Sequence, residues 1–192
     1  PLRQRRLTPL VRHQMIDPKS IQIKKANHSD LQGVIDLIAA CRLDLNDAGI
    51  HQWDDQYPNP DYVVRDLTEG NLYIAILEDK LVGTIALNQD QEPEYSQISW
   101  LYPAPSLVIH RLCVSPSNQG CGIGSALMRF ADLHAIDARC NSIRLDVYSG
   151  NSGAVNLYKH LGYNIVGQFS YPSRSLPFHC MEKRINSGAD NA

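Results

Sequence analysis

The chain has 192 residues, 43% of them hydrophobic and 20% charged, which suits one globular domain able to bury about two-thirds of its unfolded surface. A formal charge of −2 gives no basic face for nucleic acid, and no apolar run approaches the roughly 20 residues that a membrane span needs. The five cysteines, Cys41, Cys113, Cys121, Cys140 and Cys180, are scattered and form no C-x-x-C pair, so neither a metal site nor a disulfide framework is expected and a reducing cytoplasm is the simplest setting.

Residues 1–20 lack periodicity and carry excess positive charge, but Arg3, Arg5 and Arg6 are not followed by the apolar core of a signal peptide. We read them as an N-terminal extension, residues 1–14 lying upstream of Met15, with the domain over residues 21–186 and a tail at 187–192. Ile21-Gln22-Ile23-Lys24-Lys25 alternates as a strand. Ser29 or Asp30 is placed to cap a helix with Leu31, Val34, Ile35, Ile38 and Ala39 on one face. Residues 43–60 are less regular, punctuated by Gly49, Pro58 and Pro60, and a short helix is predicted from Asp61 to Leu67, ending near Gly70.

Leu72 to Leu77 and Leu81 to Leu87 read as strands joined by a hairpin-like connection. Residues 88–105 are polar and proline-punctuated, with Ile98 to Tyr102 read as an extension of the sheet. Val108 to Val114 is a buried strand, stopped by Ser115-Pro116-Ser117-Asn118. Gly120, Gly122 and Gly124 follow, and Ile123, Ala126, Leu127, Phe130, Ala131 and His134 recur at helical spacing, so a helix opens inside the glycine loop and runs to about Cys140. Ser142 to Tyr148 is a strand parallel to the previous one because a helix crosses between them. A helix from Ser152 to His160 ends at Gly162, and Tyr163 to Gly167 pairs with Phe178 to Lys183 as a final antiparallel pair. The pattern is α/β, a mixed sheet with helices on its faces.

A helix start presents free N–H groups and the positive end of its dipole, and glycines let an anion approach them. The loop from Gln119 to Ser125 admits three readings: a flexible turn, a dinucleotide-binding turn, or the pyrophosphate loop of an acyl-coenzyme A enzyme. The dinucleotide fingerprint is G-x-G-x-x-G, whereas the spacing here is G-x-G-x-G, and too little chain follows for the further βαβ units that fold requires.

The third reading has a specific match. Gln119-x-x-Gly122-x-Gly124, directly after Leu112-x-Val114-x-Pro116, resembles the signature of the GNAT superfamily of N-acetyltransferases, and Leu145-x-Val147-x-x-x-Asn151-x-x-Ala154-x-x-Leu157-Tyr158-x-x-x-Gly162-Tyr163 resembles that family's following strand and helix. The resemblance spans residues 21 to about 184. It implies a mostly antiparallel sheet whose central parallel strands splay apart to admit acetyl-coenzyme A, used as co-substrate without a metal. Backbone groups of Leu112, Cys113 and Val114 would pair with the pantetheine arm, and the segment Gln119, Gly120, Cys121, Gly122, Ile123, Gly124, Ser125 would hold the pyrophosphate. Gln119 and Cys121 stand where the family often has basic residues, so phosphate binding rests on backbone N–H groups. Asn151 and Asn156 are expected to anchor the helix start and the cofactor arm, or else to cap and face solvent.

The same resemblance makes Tyr158 the proton donor to the departing thiolate, the alternative being a buried tyrosine with its hydroxyl bonded elsewhere. An amine attacks only when uncharged, so a base is needed; His110, on the cofactor strand, is one candidate and a core histidine is the competing reading. An acyl-cysteine route through Cys113 is disfavoured because residues three apart on a strand point to opposite faces, and a small buried hydrophobe suits Cys113 better. For the acceptor, Trp53, Tyr57 and Tyr171 beside acidic residues suit a cationic amine, and Arg174 could hold a carboxylate. The expected activity is direct transfer of an acetyl group to a primary amine of a small molecule, amino acid or peptide; a coenzyme-A-binding sensor with little turnover is the alternative. The resemblance leaves room for a homodimer.

Overall fold

The computed structural model describes residues 20–185; the extension at 1–14, Met15 and the tail at 187–192 lie outside that range. Seven strands form one sheet: β1 (Gln22–Lys25), β2 (Leu72–Leu77), β3 (Lys80–Asn88), β4 (Ser106–Val114), β5 (Ser142–Tyr148), β6 (Asn164–Phe169) and β7 (Phe178–Arg184), in the order β1-β2-β3-β4-β5-β7-β6. Only β4 and β5 pair in parallel; every other neighbour is antiparallel. Helices α1 (Leu31–Asp47) and α2 (Pro60–Thr68) cover one face, and α3 (Ile123–Asp137) and α4 (Ser152–His160) the other. The mixed, mostly antiparallel sheet with one central parallel pair is the expected fold. No helix among the described residues is long and apolar enough to cross a membrane.

Apolar periodicity sets the two layers. Val34, Leu37, Ile38 and Cys41 of α1, with Val63 and Leu67 of α2, pack on Leu72, Ile74, Ala86 and Cys113. Across the sheet, Ile123, Leu127, Met128 and Ala131 of α3 and Val155 and Tyr158 of α4 cover Ile85, Ile109, Leu145 and Val147. Asp30 is the N-cap of the first helix, as one of the two expected candidates, but its side chain bonds no N–H of α1; it accepts from Asn27 N–H while Asn27 accepts from Ser29 N–H, a capping box around a short 3-10 turn at His28–Asp30. At its other end α1 runs on to Asp47, into the segment expected to be irregular from Leu43.

Two further readings are corrected. Ile98 to Tyr102 adds no strand; the segment is tethered to the sheet by side chains instead. Glu182, fully buried on β7, accepts from Leu101 N–H at 2.6 Å and from Arg144 Nε at 2.9 Å, while Arg144 donates to the Tyr102 carbonyl at 2.7 Å and lies 4.4 Å over the Trp100 ring. The alternation argument for His110 and Cys113 also fails. Thr84 pairs with Cys113 and Ala86 with His110, so Arg111 and Leu112 together oppose Ile85: a β-bulge with Arg111 at φ 50°. The extra residue brings His110 and Cys113 to the same face.

Arg111 is held there by Asp66 of α2, Nε to Oδ2 and Nη2 to Oδ1 both at 2.6 Å, with each side chain buried. Breaking a buried ion pair strands the remaining charge, so Asp66→Ala is expected to cost about 3–5 kcal/mol in urea unfolding. Replacing both partners by apolar residues, Asp66→Leu with Arg111→Met, should recover most of it. A loss below about 1 kcal/mol in Asp66→Ala would show that the pair does not hold the bulge.

Candidate functional site

β4 and β5 are paired only at Ser106–Ser142, Leu107–Ile143 and Val108–Arg144; beyond that point they diverge. The gap opens a cavity of about 540 Å³, within the usual range for small-molecule sites. Ile109 to Val114 form one wall, Leu145 to Val147 the other, and Gln119, Gly120, Gly122, Ile123, Gly124 and Ser125 close one end. Leu112, Cys113 and Val114 therefore present backbone to the cleft past the last β5 partner. The Val114 carbonyl accepts from the Cys41 thiol at 3.2 Å and from Gln119 Nε2 at 3.5 Å.

Gly122 is the N-cap of α3 with φ 87°, and no side chain caps that helix end. A Cβ on Gly122 would meet no protein atom within 4 Å, so the space above the loop is open to a ligand. First-turn N–H groups left without a side-chain partner, beside open space and a helix dipole, fit a phosphate. Cys121 departs from this set: it is buried, does not line the cleft, and its Sγ lies 3.7 Å from the Gln119 carbonyl.

Tyr158 lines the cleft from α4, and among the described residues its hydroxyl makes no hydrogen bond. Burial, then the nearby Asp146 and Cys113, push its pKa well above the ordinary phenol value. Asn151 lines the cleft but is engaged: Oδ1 accepts from Ala154 N–H at 3.1 Å and Nδ2 donates to Gln52 Oε1 at 3.0 Å. Asn156 is exposed and lies outside the cleft lining. His110 reaches the cleft, yet its Nε2 sits 3.0 Å from Asn88 Oδ1 and 3.3 Å from the Asp90 carbonyl. Burial and the neighbouring Arg111 push it down to about 4, so it is neutral near pH 7. Cys113 shares that face, but its thiol is held well above its usual value by the hydrogen bond with Cys41 and by burial, which suits a buried hydrophobe and not a nucleophile.

A second cavity, about 450 Å³, adjoins the first, and Gln52, Tyr57, Asp146 and Phe178 line both. Its walls come from residues 52–57, from α2, from Glu92, Pro93 and Glu94 before β4, and from Tyr171, Ser173 and Arg174 between β6 and β7. Tyr57 and Tyr171 thus belong to it, whereas Trp53 is buried and lines only the first cavity. Arg174 lines it but is committed to Asp54 at 2.7 Å and to the Gln52 carbonyl at 3.3 Å, so the expected carboxylate clamp is instead a tie between two loops.

Asp146 is the residue that the sequence reading passed over. It is an acidic side chain in the middle of the apolar run of β5, which is itself a signal of a buried polar site. Burial pushes its carboxyl up to about 6, against the pull of the Tyr95 hydroxyl that donates to Oδ1 at 2.8 Å, with Glu92 and Glu94 adding to the rise.

The model of the acetyltransferase (GNAT) family matches residues 37–163. The uncharacterized N-acetyltransferase YesJ of Bacillus subtilis (strain 168) is 23% identical over 168 residues, 84% of this chain and 89% of its own. Streptothricin acetyltransferase of Escherichia coli is 31% identical over 104 residues, 53% of each chain. A GNAT family acetyltransferase from Streptococcus agalactiae superposes with a TM-score of 0.75 at 22% identity, covering 86% of this chain and 96% of that one.

If the loop cradles the pyrophosphate, Gly122→Val should raise the coenzyme A dissociation constant about tenfold or more by calorimetry. The branched side chain would be strained at φ 87° and would fill the open space above the helix end. Unchanged affinity would move the phosphates away from this loop.

Proposed function

This chain belongs to the GNAT family of acetyltransferases, which use acetyl-coenzyme A, and on that footing we propose that it transfers the acetyl group directly to a primary amine of a small acceptor seated in the second cavity. The observation that carries this reading is the position of Asp146, which lines both the cofactor cleft and the adjoining cavity. Partial likeness to streptothricin acetyltransferase supports a small-molecule acceptor.

Acetyl-coenzyme A supplies an activated thioester, and the residues of this chain supply placement and protons. The open edge of Leu112 to Val114 and the loop from Gln119 to Ser125 hold and orient it, with binding energy from backbone groups. An amine enters as an ammonium and must lose a proton before its lone pair can attack. We infer that Asp146, in place of His110, takes that proton, directly or through a water: a carboxyl near 6 is ionised at neutral pH yet basic enough to accept. His110, near 4 and with Nε2 engaged, is a weaker base. As the C–N bond forms and the C–S bond breaks, the nitrogen sheds a second proton and the departing thiolate takes one up, so the two balance through the group that serves the thiolate. Tyr158 holds one at neutral pH because burial raises its pKa, and the thiolate formed in the same dry cleft is raised by the same desolvation, which keeps the transfer feasible.

Tyr158→Phe should lower kcat about 100-fold or more while the coenzyme A dissociation constant stays within about twofold. Undiminished turnover would remove Tyr158 from the proton transfer.

The pH profile tests Asp146 separately. The acid limb of kcat/KM should fall near pH 6, with activity rising as the carboxyl ionises. Because the Tyr95 hydroxyl stabilises the ionised carboxylate, Tyr95→Phe should move that limb to higher pH. A limb unmoved by Tyr95→Phe would assign the base elsewhere.

A further inference from the structure

The second cavity has a charge pattern that goes beyond accepting an amine. Asp54, Glu92, Glu94 and Asp146 line it against Arg65 and Arg174, leaving an excess of two negative charges. Arg174 is neutralised by Asp54 at 2.7 Å, and Arg65 is exposed and lies 5.2 Å over the Tyr62 ring. The uncompensated charge is thus on Glu92, Glu94 and Asp146.

Both glutamates are half-buried, and among the described residues neither has a lysine or arginine within ion-pair distance. The group near Glu92 is His110, with Nδ1 at 3.8 Å, but that ring is neutral near pH 7. Arg111, whose field reaches Glu92, is already bound bidentately by Asp66. Burial, with Glu94 and Asp90 adding to it against Arg111 and Arg65, holds the Glu92 carboxyl above the usual carboxylate range. Between these carboxylates stand the rings of Tyr57, Tyr171 and Phe178, which offer apolar contact and electron-rich faces. Asp146 is shared with the cofactor cleft, whereas Glu92 and Glu94 line the second cavity alone, so the acidic groups extend away from the reacting centre.

We infer that the acceptor is a dication, a short aliphatic diamine whose attacked nitrogen lies at Asp146 and whose second ammonium sits against Glu92 and Glu94. This inference rests on the reading of the second cavity as the acceptor site. The second ammonium stays charged throughout; the attacked nitrogen gives one proton to Asp146 before attack and a second as the amide forms, and that second proton restores the Tyr158 phenol, whose own proton goes to the released thiolate. An ω-amino acid would place its carboxylate against the two glutamates, where like charges repel. A monoamine of the same length would leave them unpaired.

The test measures thiol release from acetyl-coenzyme A with 1,3-diaminopropane, 1,4-diaminobutane and 1,5-diaminopentane, each beside the monoamine and the ω-amino acid of the same carbon count. At least one diamine should exceed its monoamine in kcat/KM by about tenfold or more, the worth of a charge-assisted contact, and its amino acid by a larger factor. In Glu92→Gln and Glu94→Gln the diamine KM should rise and the diamine-to-monoamine ratio fall toward one, while kcat for the diamine changes less than KM. Equal or better turnover of the monoamines or amino acids, or a ratio unmoved in both variants, would overturn the dication and leave acetyl transfer standing. Coenzyme A binding without release on any of these acceptors would overturn the dication and the small-amine reading together.

Discussion

The buried pair between Arg111 and Asp66 is the interaction on which the site depends. β4 leaves β5 after Val108 while it stays paired with β3 as far as Val114. Between these points β4 bulges, with a non-glycine residue at φ 50°, a conformation that costs about 1–2 kcal/mol. The bidentate contact at 2.6 Å on both nitrogens, together with Tyr57 Oη at 3.3 Å and the Tyr62 ring at 5.6 Å, holds Arg111 on the α2 side. Strand geometry then leaves the backbone of Leu112 to Val114 turned toward the opening. The same pair reaches Tyr57, which lines both cavities, so the two share one anchor.

Burial raises both titratable groups of the cleft, with different consequences. It raises the carboxyl of Asp146 to about 6, where an ionised group is still basic enough to take a proton. It raises the phenol of Tyr158 further above neutrality, where the group stays protonated and able to give one. On the proposed mechanism, one dry environment thus suits the first to accept a proton and the second to give one. Tyr95 moderates the first by donating to Asp146, which keeps the carboxyl from rising out of the useful range.

The parts of the protein legible in its sequence are those written in local chemistry. Strand alternation, the turn at Ser115 to Asn118 and the glycine spacing around Gly122 place β4, the loop and α3 because short-range backbone preferences decide them. The two ordered blocks that resemble the GNAT signature identify the fold for the same reason: both are contiguous. What escaped was set by contacts distant in sequence. The bulge at Arg111 depends on Asp66, 45 positions away, and it reverses a correct rule about alternation. Asp146 was skipped because its neighbours, Leu145 and Val147, are the residues that the family pattern names. Glu92 and Glu94 sit in a polar, proline-punctuated segment that gives no periodic signal, and distant partners place it: Asp146 through Tyr95 and Arg144 through Gln91. Arg174 lines the second cavity, but nothing near it in sequence announces its pair with Asp54.

The walls of the second cavity come largely from segments that carry little regular structure, and these are pinned by charge pairs. Arg42 of α1 holds Asp55 at 2.8 Å and the Asp54 carbonyl at 2.9 Å; Arg174 holds Asp54; Arg144 and Glu182 hold the segment before β4. The paired charges lie outside the cavity or on its border, while inside it Glu94 adds to the rise of Glu92, and both add to the rise of Asp146. Mutual repulsion of that kind weakens the folded state unless other contacts fix the backbone, and the rim pairs do so. A cavity built this way keeps unsatisfied negative charge in reserve, and a cation entering it gains what the protein alone leaves uncompensated.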